Sequence, residues 1–234
     1  MSLDTRNVQA IRSAPLAGKP LGSLMIHEIY RSIQGESTFA GLPCVFVRLT
    51  ACHLRCRWCD TPHAFTKGAF MSLDEVVGRV LAEPCELVEI TGGEPLLQEE
   101  VFPLMARLAD AGWTVLLETS GAVDVSRVDP RVKIIMDLKC PGSGECEQNL
   151  YANLDLLKPP DEIKFVIADR QDFDWSCDQV RSRKLTERHA VLFSPVFGEL
   201  APRALANWIL ESKLPVRLQL QQHKYIWDPS ARGV

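Results

Sequence analysis

The sequence predicts a single α/β domain, a partial (β/α) barrel of about six βα units with mostly parallel strands. From Cys44 onwards, strand-like runs alternate with helix-like runs. The strand-like runs are apolar almost throughout, which is typical of parallel strands whose faces are covered by helices. The length of 234 residues is shorter than the roughly 250 residues of a complete eight-unit barrel. An incomplete barrel therefore fits this sequence better than a closed one.

The predicted elements follow one another closely, and several helices carry terminal signals. The helix expected at 72–82 begins with a capping box, Ser72 with Glu75, in which each side chain bonds the other residue's backbone. Gly112 ends the next helix. Helices are expected at 72–82, 101–112, 148–157, 171–184 and 202–212. Strands are expected at 44–50, 86–90, 114–119, 132–138, 162–167, 190–196 and 216–221.

Composition and charge limit the class of partner. Hydrophobic residues make up 46% of the chain and charged residues 24%, as in ordinary globular proteins. The net charge of -4 provides no overall basic field, so we expect no nucleic-acid partner. No apolar run is long enough to cross a bilayer, so we expect no membrane partner either. Residues 1–23 are expected to form an extension of no assigned function that can be disordered, ahead of one domain at 24–234.

Cysteine usage indicates the compartment. The chain has eight cysteines, and its first residues lack the apolar core of a secretory signal. Under those conditions clustered thiols bind metal more often than they form disulfides. We therefore expect the protein in the cytoplasm. Five scattered cysteines are interpreted as structural or incidental: Cys44, Cys85, Cys140, Cys146 and Cys177.

Polar motifs stand at the ends of the predicted strands. Because the carboxyl ends of parallel strands open on the same side of the sheet, such motifs converge on one ligand site. The motifs are CHLRCRWCD at 52–60, TGGEP at 91–95, TSG at 119–121, DLK at 137–139 and SPV at 194–196. The sequence therefore predicts a single site at this end of the barrel.

The cysteine triad Cys52, Cys56 and Cys59 is the most chemically specific of these motifs. Thiolates suit zinc, copper(I) and iron–sulfur clusters. A structural zinc site takes four protein ligands, for which His53 or His63 would complete the set. A 4Fe–4S cluster held by three cysteines instead leaves one iron free for a second cofactor. On spacing alone both interpretations stand.

The triad followed by TGGEP resembles the radical S-adenosylmethionine (SAM) superfamily, and this resemblance implies a 4Fe–4S cluster whose free iron binds SAM. Gly92 and Gly93 allow a close backbone approach, and Glu94 can accept a hydrogen bond from the SAM ammonium. Many relatives have Ser-Pro-Lys where this chain has Asp-Leu-Lys, and often Gln-Pro near Ser194. The other SAM contacts implied are Ser120, Asp137, Leu138, Lys139 and Ser194.

Two longer segments, residues 29–61 and LQLQQHKYIWDP at 218–229, resemble the 7-carboxy-7-deazaguanine synthase family, a lyase family of queuosine and deazapurine biosynthesis. The resemblance covers about residues 25–229. It implies conversion of 6-carboxy-5,6,7,8-tetrahydropterin into 7-carboxy-7-deazaguanine and ammonia by a radical ring contraction, with SAM used catalytically. It also implies a homodimer, a Mg²⁺ ion and an electron donor such as flavodoxin or ferredoxin.

The same resemblance implies roles for individual residues. Arg48 matches an arginine that pairs with the substrate carboxylate, which a guanidinium fork can hold bidentately; a structural salt bridge is the alternative. Thr61 matches a Mg²⁺ ligand, and Asp60 is either an outer group of that site or a turn residue. No acid–base pair is assigned, although Glu36 and His223 can move protons or only bind. The implied pterin contacts are Ile33, Gln34, Gly35, Glu36, Arg48, Thr91, His223 and Pro229.

Two other functions remain open at this point. One is a radical SAM activase that generates a glycyl radical on a partner protein. The other is a binding module without activity, stabilised by zinc or by a cluster. The QGE and HKYI motifs favour a small enclosed substrate over a protein segment, which argues against the activase. A binding module would not explain why TGGEP lies at the end of the second predicted strand.

Overall fold

The computed structural model describes residue 12 and residues 14–234. Of the extension predicted at 1–23, residues 1–11 and 13 therefore lie outside the described residues. The strands are β1 (Ser23–Ile33), β2 (Pro43–Leu49), β3 (Ala69–Ser72), β4 (Leu87–Gly92), β5 (Thr114–Thr119), β6 (Lys133–Asp137), β7 (Glu162–Ile167), β8 (Ala190–Pro195) and β9 (Arg217–Leu218). The helices are α1 (Leu73–Leu81), α2 (Val101–Asp110), α3 (Arg170–Ser182), α4 (Pro202–Ser212) and α5 (His223–Ile226).

One nine-stranded sheet runs in the order β3-β1-β2-β4-β5-β6-β7-β8-β9. The seven strands from β2 and β4 to β9 are parallel to one another. Strand β1 is antiparallel to both β2 and β3. Helices follow most of the parallel strands, as βαβ connections require. The predicted α/β architecture with a mostly parallel, partial-barrel sheet is confirmed.

Several predicted elements need correction. Strands β1 and β3 were not predicted. The helix expected at 148–157 is instead two short 3₁₀ turns, Cys146–Gln148 and Tyr151–Asp155. The last strand, expected at 216–221, is limited to Arg217–Leu218 because only these residues pair with β8. The capping box of α1 is confirmed, with the Ser72 Oγ accepting from the Glu75 N–H at 3.2 Å.

The two faces of the sheet differ in what they bury. Residues on one face join the helices in the large apolar core. On the other face, alternate residues of the same strands form two layers, since side chains on a strand repeat with a period of two. The lower layer, here called the apolar base, contains Cys44, Phe46, Leu87, Leu116 and Ile135. Above it lies a layer here called the polar ring, formed by Arg48, Glu89, Thr91, Glu118, Asp137 and Lys164.

The loop from β1 to β2 reaches across to the far strands of the sheet. The Ser37 N–H donates to the Gln219 Oε1 at 2.7 Å, just beyond β9. The Thr38 N–H donates to the Glu162 carboxylate at the start of β7, at 3.1 Å. Hydrogen bonds from this loop, most of them to side chains, therefore connect the two sides of the partial barrel without a continuous strand ladder.

Across the described ranges, we find no helix with the length and apolar character needed to cross a membrane.

Candidate active site

A cavity of about 480 Å³ opens at the carboxyl ends of the parallel strands. Its wall includes residues from β1, β2 and β4 to β8. Residues of the last part of the chain, 221–234, here called the C-terminal segment, complete it. Among the residues predicted from the sequence, the structure brings together in this cavity Ile33, Gln34, Gly35, Glu36, Arg48, Cys52, Cys56, Cys59, Thr61, Thr91, Gly92, Gly93, Ser120, Asp137, Lys139, His223 and Pro229. Glu94, Leu138 and Ser194 are not part of the cavity wall.

The cysteine loop, residues 50–61, has no helix or strand and is held by its neighbours. The Ala51 N–H donates to the Ala64 carbonyl at 2.9 Å, and Ala51 has a φ of 81°. The Arg55 N–H donates to a carboxylate oxygen of Glu145 at 2.6 Å. Two of the three cysteines are only half-buried, and Cys52 is buried. The loop thus presents its thiols at the cavity while other side chains fix its backbone.

All eight cysteines are free thiols, and the three of the triad are the ones that line the cavity. Burial raises the pKa of the Cys52 thiol to about 12, and burial raises the pKa values of Cys56 and Cys59 as well. Thiolates are the form that binds metal, so a cationic metal centre is needed to ionise these groups. Lys139 opposes the rise in the pKa of both Cys52 and Cys56, which favours the same ionisation.

The spacing of the thiols distinguishes zinc from a cluster. Zinc–sulfur bonds of about 2.3 Å in a tetrahedron hold the ligand atoms within roughly 4 Å of each other. Over residue 12 and residues 14–234, no group of three or more His, Cys, Asp and Glu ligand atoms within 4.8 Å of one another includes a cysteine. A four-iron cluster distributes its thiolates over separate irons and does not require such close contact. The three thiols are therefore not gathered as closely as a tetrahedral zinc site would hold them, and their arrangement is compatible with an iron–sulfur cluster.

Gly92 and Gly93 are required by the packing of two strand ends. Gly92 has a φ of 146°, and a Cβ there would lie 2.3 Å from the Leu49 carbonyl oxygen. A Cβ on Gly93 would lie 2.2 Å from the Ala51 carbonyl oxygen and 2.8 Å from the Cys52 Cβ. The two glycines thus let the end of β4 approach the cysteine loop as well as leaving space in the cavity.

Glu94 lies behind the cavity wall and is fully buried. Its carboxylate accepts hydrogen bonds from the Ser120 N–H at 2.8 Å and from the Thr119 hydroxyl at 2.9 Å. It therefore orients Ser120, which does line the cavity. Leu138 belongs to the apolar core, and Ser194 is buried in β8 opposite Val166. For β8, the cavity wall is formed by Pro195 and the following Val196.

Buried Asp137, the last residue of β6, forms an ion pair with the half-buried Lys139 just beyond it. The Lys139 Nζ donates to the Asp137 Oδ2 at 2.7 Å. Coulombic attraction to Asp137 raises the pKa of Lys139 although burial alone would lower it. The other oxygen, Asp137 Oδ1, is buried and has no hydrogen-bond partner within the described chain. A buried acceptor without a donor in the cavity wall is suited to a ligand hydroxyl or amine, since leaving it unpaired costs about 1–3 kcal/mol.

Arg48, on β2, is paired within the wall. Its Nε donates to Glu28 Oε1 at 2.8 Å, and its Nη2 donates to the Tyr30 hydroxyl at 2.9 Å. Burial alone would lower the pKa of Arg48, but the contacts with Tyr30 and Glu28 outweigh burial and raise this pKa above its ordinary value. The structural salt bridge considered for this residue therefore exists, and the same guanidinium also faces the cavity.

The residues after β1 meet the C-terminal helix α5. The Gly35 carbonyl accepts from the Gln222 N–H at 3.0 Å, and a Cβ on Gly35 would lie 2.5 Å from the His223 Nδ1. Gln34 is buried, and its Oε1 accepts from the Glu36 N–H at 3.0 Å. Burial lowers the pKa of His223. A neutral imidazole thus lies directly against Gly35.

Thr61 and Asp60 belong to a polar bridge between the cysteine loop and the C-terminal segment. The Thr61 hydroxyl donates to Asp60 Oδ1 at 3.0 Å. Asp60 Oδ2 accepts from the Lys224 Nζ at 2.9 Å and from the Gln221 Nε2 at 3.0 Å. Burial alone would raise the pKa of Asp60, but the Lys224 ammonium holds that pKa well below its usual range. The same Gln221 nitrogen also donates to Glu36 Oε1 at 2.9 Å.

Glu89, Glu118 and Lys164 are cavity residues that the sequence reasoning did not nominate. The Lys164 Nζ donates to Glu36 Oε2 at 3.0 Å and also to Glu118. Burial alone would lower the pKa of Lys164, yet Glu118 and Glu36 raise it well above its ordinary value. A signal existed, because each residue is an ionisable group inside an otherwise apolar parallel strand.

Glu89 lies in an environment that disfavours a negative charge. Burial, reinforced by the nearby Glu118 carboxylate, raises its pKa from the ordinary 4.5 to about 8. The Gln34 Nε2 donates to its carboxylate. Glu89 is therefore a protonated acid at neutral pH. Glu118 is ionised, because its contact with Lys164 outweighs burial and lowers the Glu118 pKa.

The chain resembles characterised proteins along nearly its whole length. Residues 47–181, more than half of the chain, match the radical SAM superfamily. The 7-carboxy-7-deazaguanine synthase of Chlorobaculum tepidum is 51% identical over 90% of this chain and 97% of its own. That of Koribacter versatilis is 50% identical over 90% of this chain and 100% of its own.

A solved structure supports the fold. The crystal structure of QueE from Escherichia coli superimposes with a TM-score of 0.71 at 23% identity, covering 95% of this chain and all of the other. Membership of the radical SAM superfamily implies a 4Fe–4S cluster and SAM, which the cysteine triad and the polar cavity fit. The chain belongs to the 7-carboxy-7-deazaguanine synthase family of radical SAM enzymes.

Proposed function

We propose that this enzyme converts 6-carboxy-5,6,7,8-tetrahydropterin into 7-carboxy-7-deazaguanine and ammonia, at the residues assigned below. One observation carries the proposal. Three free cysteines, the glycine pair at the end of β4 and residues 33–36 meet in one cavity of about 480 Å³. A cavity of this kind suits a small molecule, which favours a synthase over an activase that must accept a protein segment.

On one side of the cavity, Cys52, Cys56 and Cys59 would hold the 4Fe–4S cluster. When bound, the cluster and SAM supply the one-electron chemistry that generates the radical. Gly92 and Gly93 would leave room for SAM, and the unpaired Asp137 Oδ1 would accept a hydrogen bond from it. The SAM-binding set also includes Glu94, Ser120, Leu138, Lys139 and Ser194, of which Glu94, Leu138 and Ser194 would act from behind the cavity wall.

On the other side, the substrate would lie between the β1–β2 loop and the C-terminal segment. Arg48 would exchange part of its contact with Glu28 for the substrate carboxylate, since a guanidinium offers donors in several directions. Buried donors and acceptors must each be satisfied, so the amide of Gln34 and the carboxylate of Glu36 would define the orientation of the pterin. The remaining contacts assigned to the substrate are Ile33, Gly35, Thr91, His223 and Pro229.

A Mg²⁺ ion would bind at Thr61. Magnesium usually keeps several waters and takes only one or two protein oxygens, so one hydroxyl together with substrate oxygens is enough. Asp60 accepts from the Thr61 hydroxyl at 3.0 Å. This contact supports Asp60 as an outer group that orients Thr61.

The chain's own ionisable groups would handle the protons of the later steps. Glu36 accepts from Lys164 at 3.0 Å, and Lys164 is also bonded to Glu118. This continuous chain can hold a proton in the part of the cavity assigned to the substrate. His223, whose pKa is lowered by burial, would add a neutral imidazole as a second proton acceptor.

Partners and organisation complete the proposal. Residues 24–234 would form the catalytic domain and residues 1–23 an extension, with the enzyme in the cytoplasm. An external one-electron donor such as flavodoxin or ferredoxin would reduce the cluster. The enzyme would be a homodimer, and exposed apolar side chains near the C-terminus, including Leu210, Tyr225 and Ile226, offer surface for it. Light scattering would measure the mass in solution.

The decisive experiment is anaerobic. The protein is reconstituted with iron and sulfide, supplied with SAM, Mg²⁺, dithionite and 6-carboxytetrahydropterin, and analysed by mass for 7-carboxy-7-deazaguanine. We expect product from the wild type and none from Cys56→Ala, which also loses iron. Cys146→Ala is the matched control, because Cys146 is a half-buried free thiol that does not line the cavity.

Each outcome separates two parts of the proposal. If SAM is cleaved but no 7-carboxy-7-deazaguanine forms, the substrate assignment is wrong and the radical chemistry remains. If the wild type takes up no iron, the three cysteines do not hold a cluster. If Cys56→Ala keeps its iron and activity, the ligand assignment is wrong.

A further inference from the structure

A second group of metal-binding side chains lies at the edge of the cavity, apart from the cysteine triad. The ligand atoms of His27, Glu28 and His63 lie within 4.8 Å of one another. We propose that these three residues form a binding site for a divalent transition-metal ion, of which Zn²⁺ is the probe to test. This inference does not rest on the proposed reaction, because it uses only the geometry of these side chains.

A break in the β1–β2 ladder explains how two successive residues contribute to one site. In a regular strand, neighbouring side chains point to opposite faces. The register of β1 against β2 shifts between Ile26 and Glu28, opposite Leu49 and Arg48. A bulge of this kind changes the direction of a side chain and is common near functional sites. Here it allows the ligand atoms of His27 and Glu28 to approach each other.

The hydrogen bonding of His27 sets its tautomer. The Nδ1 of His27 lies 2.7 Å from the Lys67 carbonyl oxygen. A carbonyl oxygen can only accept, so Nδ1 must carry the proton and the lone pair of a neutral ring must be on Nε2. Metal-binding histidines almost always donate their other ring N–H in this way, often to a backbone carbonyl. His27 is therefore held in the form that binds metal through Nε2.

His63 and Glu28 complete the set from the cavity side. Both line the cavity, and the His63 ring lies against the His27 ring with their centroids 5.0 Å apart. Glu28 Oε1 accepts from Arg48 at 2.8 Å, which leaves Oε2 as the oxygen to bind a cation. All three side chains are half-buried, so they can rotate to close on an ion.

The donor set selects the class of metal. Two imidazoles and one carboxylate suit zinc and similar ions, whereas magnesium and calcium prefer oxygen ligands. Bonds of about 2.0–2.2 Å in a tetrahedron place ligand atoms about 3.3–3.5 Å apart. Since the ligand atoms lie within 4.8 Å of one another, binding an ion would bring each pair together by no more than about 1.5 Å. Three protein ligands leave a fourth position for water or for a group in the cavity, so the site would be open rather than purely structural.

The location gives the site a consequence for the cavity. Glu28 connects the proposed ion directly to Arg48. A metal on Glu28 would draw charge away from that carboxylate and weaken its hold on the guanidinium. Metal binding would thereby make Arg48 more available to an anionic group in the cavity.

The test uses the cluster-loaded enzyme, freed of loosely bound metal and titrated anaerobically with ZnCl₂. We expect one zinc per chain by elemental analysis, and zinc-edge X-ray absorption should show nitrogen and oxygen ligands without sulfur. His27→Gln and His63→Gln should each lose this zinc while keeping their iron. Glu83→Gln is the control, because the Glu83 carboxylate is more exposed than that of Glu28 and pairs with Arg31, a residue of β1 outside the proposed site. This variant should keep the zinc.

Three results would overturn the proposal. The first is no bound zinc in the wild type. The second is sulfur in the zinc coordination sphere, which would mean that zinc had entered the cysteine loop. The third is full zinc binding by His63→Gln. Iron content and circular dichroism report whether each variant is folded, so loss of zinc by a misfolded variant would not be mistaken for support.

Discussion

The ammonium of Lys164, on strand β7, donates a hydrogen bond to the carboxylate of Glu118, on strand β5, across the intervening strand β6. Lys164 is buried, and both groups line the cavity. Glu36, from the β1–β2 loop, accepts from the same ammonium at 3.0 Å. One lysine therefore neutralises carboxylates from two separate parts of the chain.

Replacing this lysine should destabilise the protein strongly. Lys164→Met leaves the half-buried carboxylates of Glu118 and Glu36 without their shared counter-charge. Breaking a fully buried ion pair typically costs about 3–5 kcal/mol, and the access of both carboxylates to the cavity reduces that cost. We expect a decrease of about 1–3 kcal/mol in the free energy of unfolding, measured by urea denaturation of the anaerobic protein.

A double variant isolates the electrostatic cause. Replacing both partners of a buried pair with apolar residues is often close to neutral, so Lys164→Met with Glu118→Leu should recover the part of the lost stability that is due to Glu118, while Glu36 still lacks its counter-charge. A double variant as unstable as the single one would show that the lysine acts by packing and not by charge.

Glu89 should make stability depend on pH. Its pKa is raised from 4.5 to about 8 in the folded protein. Between these values the folded state binds a proton that the unfolded state has released, so the free energy of unfolding falls as pH rises. The slope is at most about 1.4 kcal/mol per pH unit. Glu89→Gln, which can still accept from Gln34, should remove this slope.

The measurement is the difference in unfolding free energy between Glu89→Gln and the wild type, from about pH 5 to about pH 9. The variant should gain stability relative to the wild type as the pH increases. A difference that does not change with pH would mean that Glu89 ionises at its ordinary pKa.

Gly35→Ala should impair substrate binding without affecting the cluster. The added Cβ would lie 2.5 Å from the His223 Nδ1 and 3.1 Å from the His223 backbone nitrogen, so the imidazole must turn aside and the start of α5 must shift by a few tenths of an ångström. Displacements of about 1 Å in a binding site can reduce the rate by up to a hundredfold. We expect a fall in kcat/KM of about tenfold to a hundredfold, carried mainly by KM, with unchanged iron content.

Gly78→Ala is the matched control for this change. Gly78 is in α1, and a Cβ there meets no atom of the described residues within 4 Å. The control should keep wild-type kinetics and gain about 0.5–1 kcal/mol of stability from its better helix propensity. Wild-type KM in Gly35→Ala would contradict the assigned role of the contact with His223.

Gly93→Ala should act on the cysteine loop instead. Its Cβ would lie 2.2 Å from the Ala51 carbonyl oxygen, which is backbone and cannot turn aside as a side chain can. The loop must shift, and Cys52 with it. We expect less iron and sulfide per chain after reconstitution and a weaker absorption of the cluster. Full iron content would show that the loop tolerates the shift.

The parallel strands were predictable because each is a short apolar run between helix signals. Strand β1 was not, since its register shift between Ile26 and Glu28 interrupts the alternation on which the recognition of a strand depends. The last strand was overestimated because the chain turns into α5 soon after Gln219, whose N–H still donates to the Phe193 carbonyl of β8 at 2.9 Å. In this segment the side chains of Gln219 and Gln221 bond Glu36.

The site was predictable where a motif was local and incomplete where it depended on neighbouring strands. The cysteine loop and residues 91–95 are each one continuous stretch of sequence, so the chemistry of each is predictable from the spacing of its residues. The partnership of Lys164 with Glu118 depends on both strands flanking β6, which no local pattern specifies. The unpaired Asp137 Oδ1 and the His27 tautomer likewise depend on three-dimensional contacts.

The apolar base and the polar ring are built from the same strands, only two residues apart, as in Leu116 and Glu118. Changes to one layer therefore need not be transmitted to the other. Selection for a different ligand can exchange ring residues while the base continues to hold the strands together. Because of this separation, substitutions in the polar ring can change the ligand or the reaction while the apolar base stays the same and keeps the fold stable.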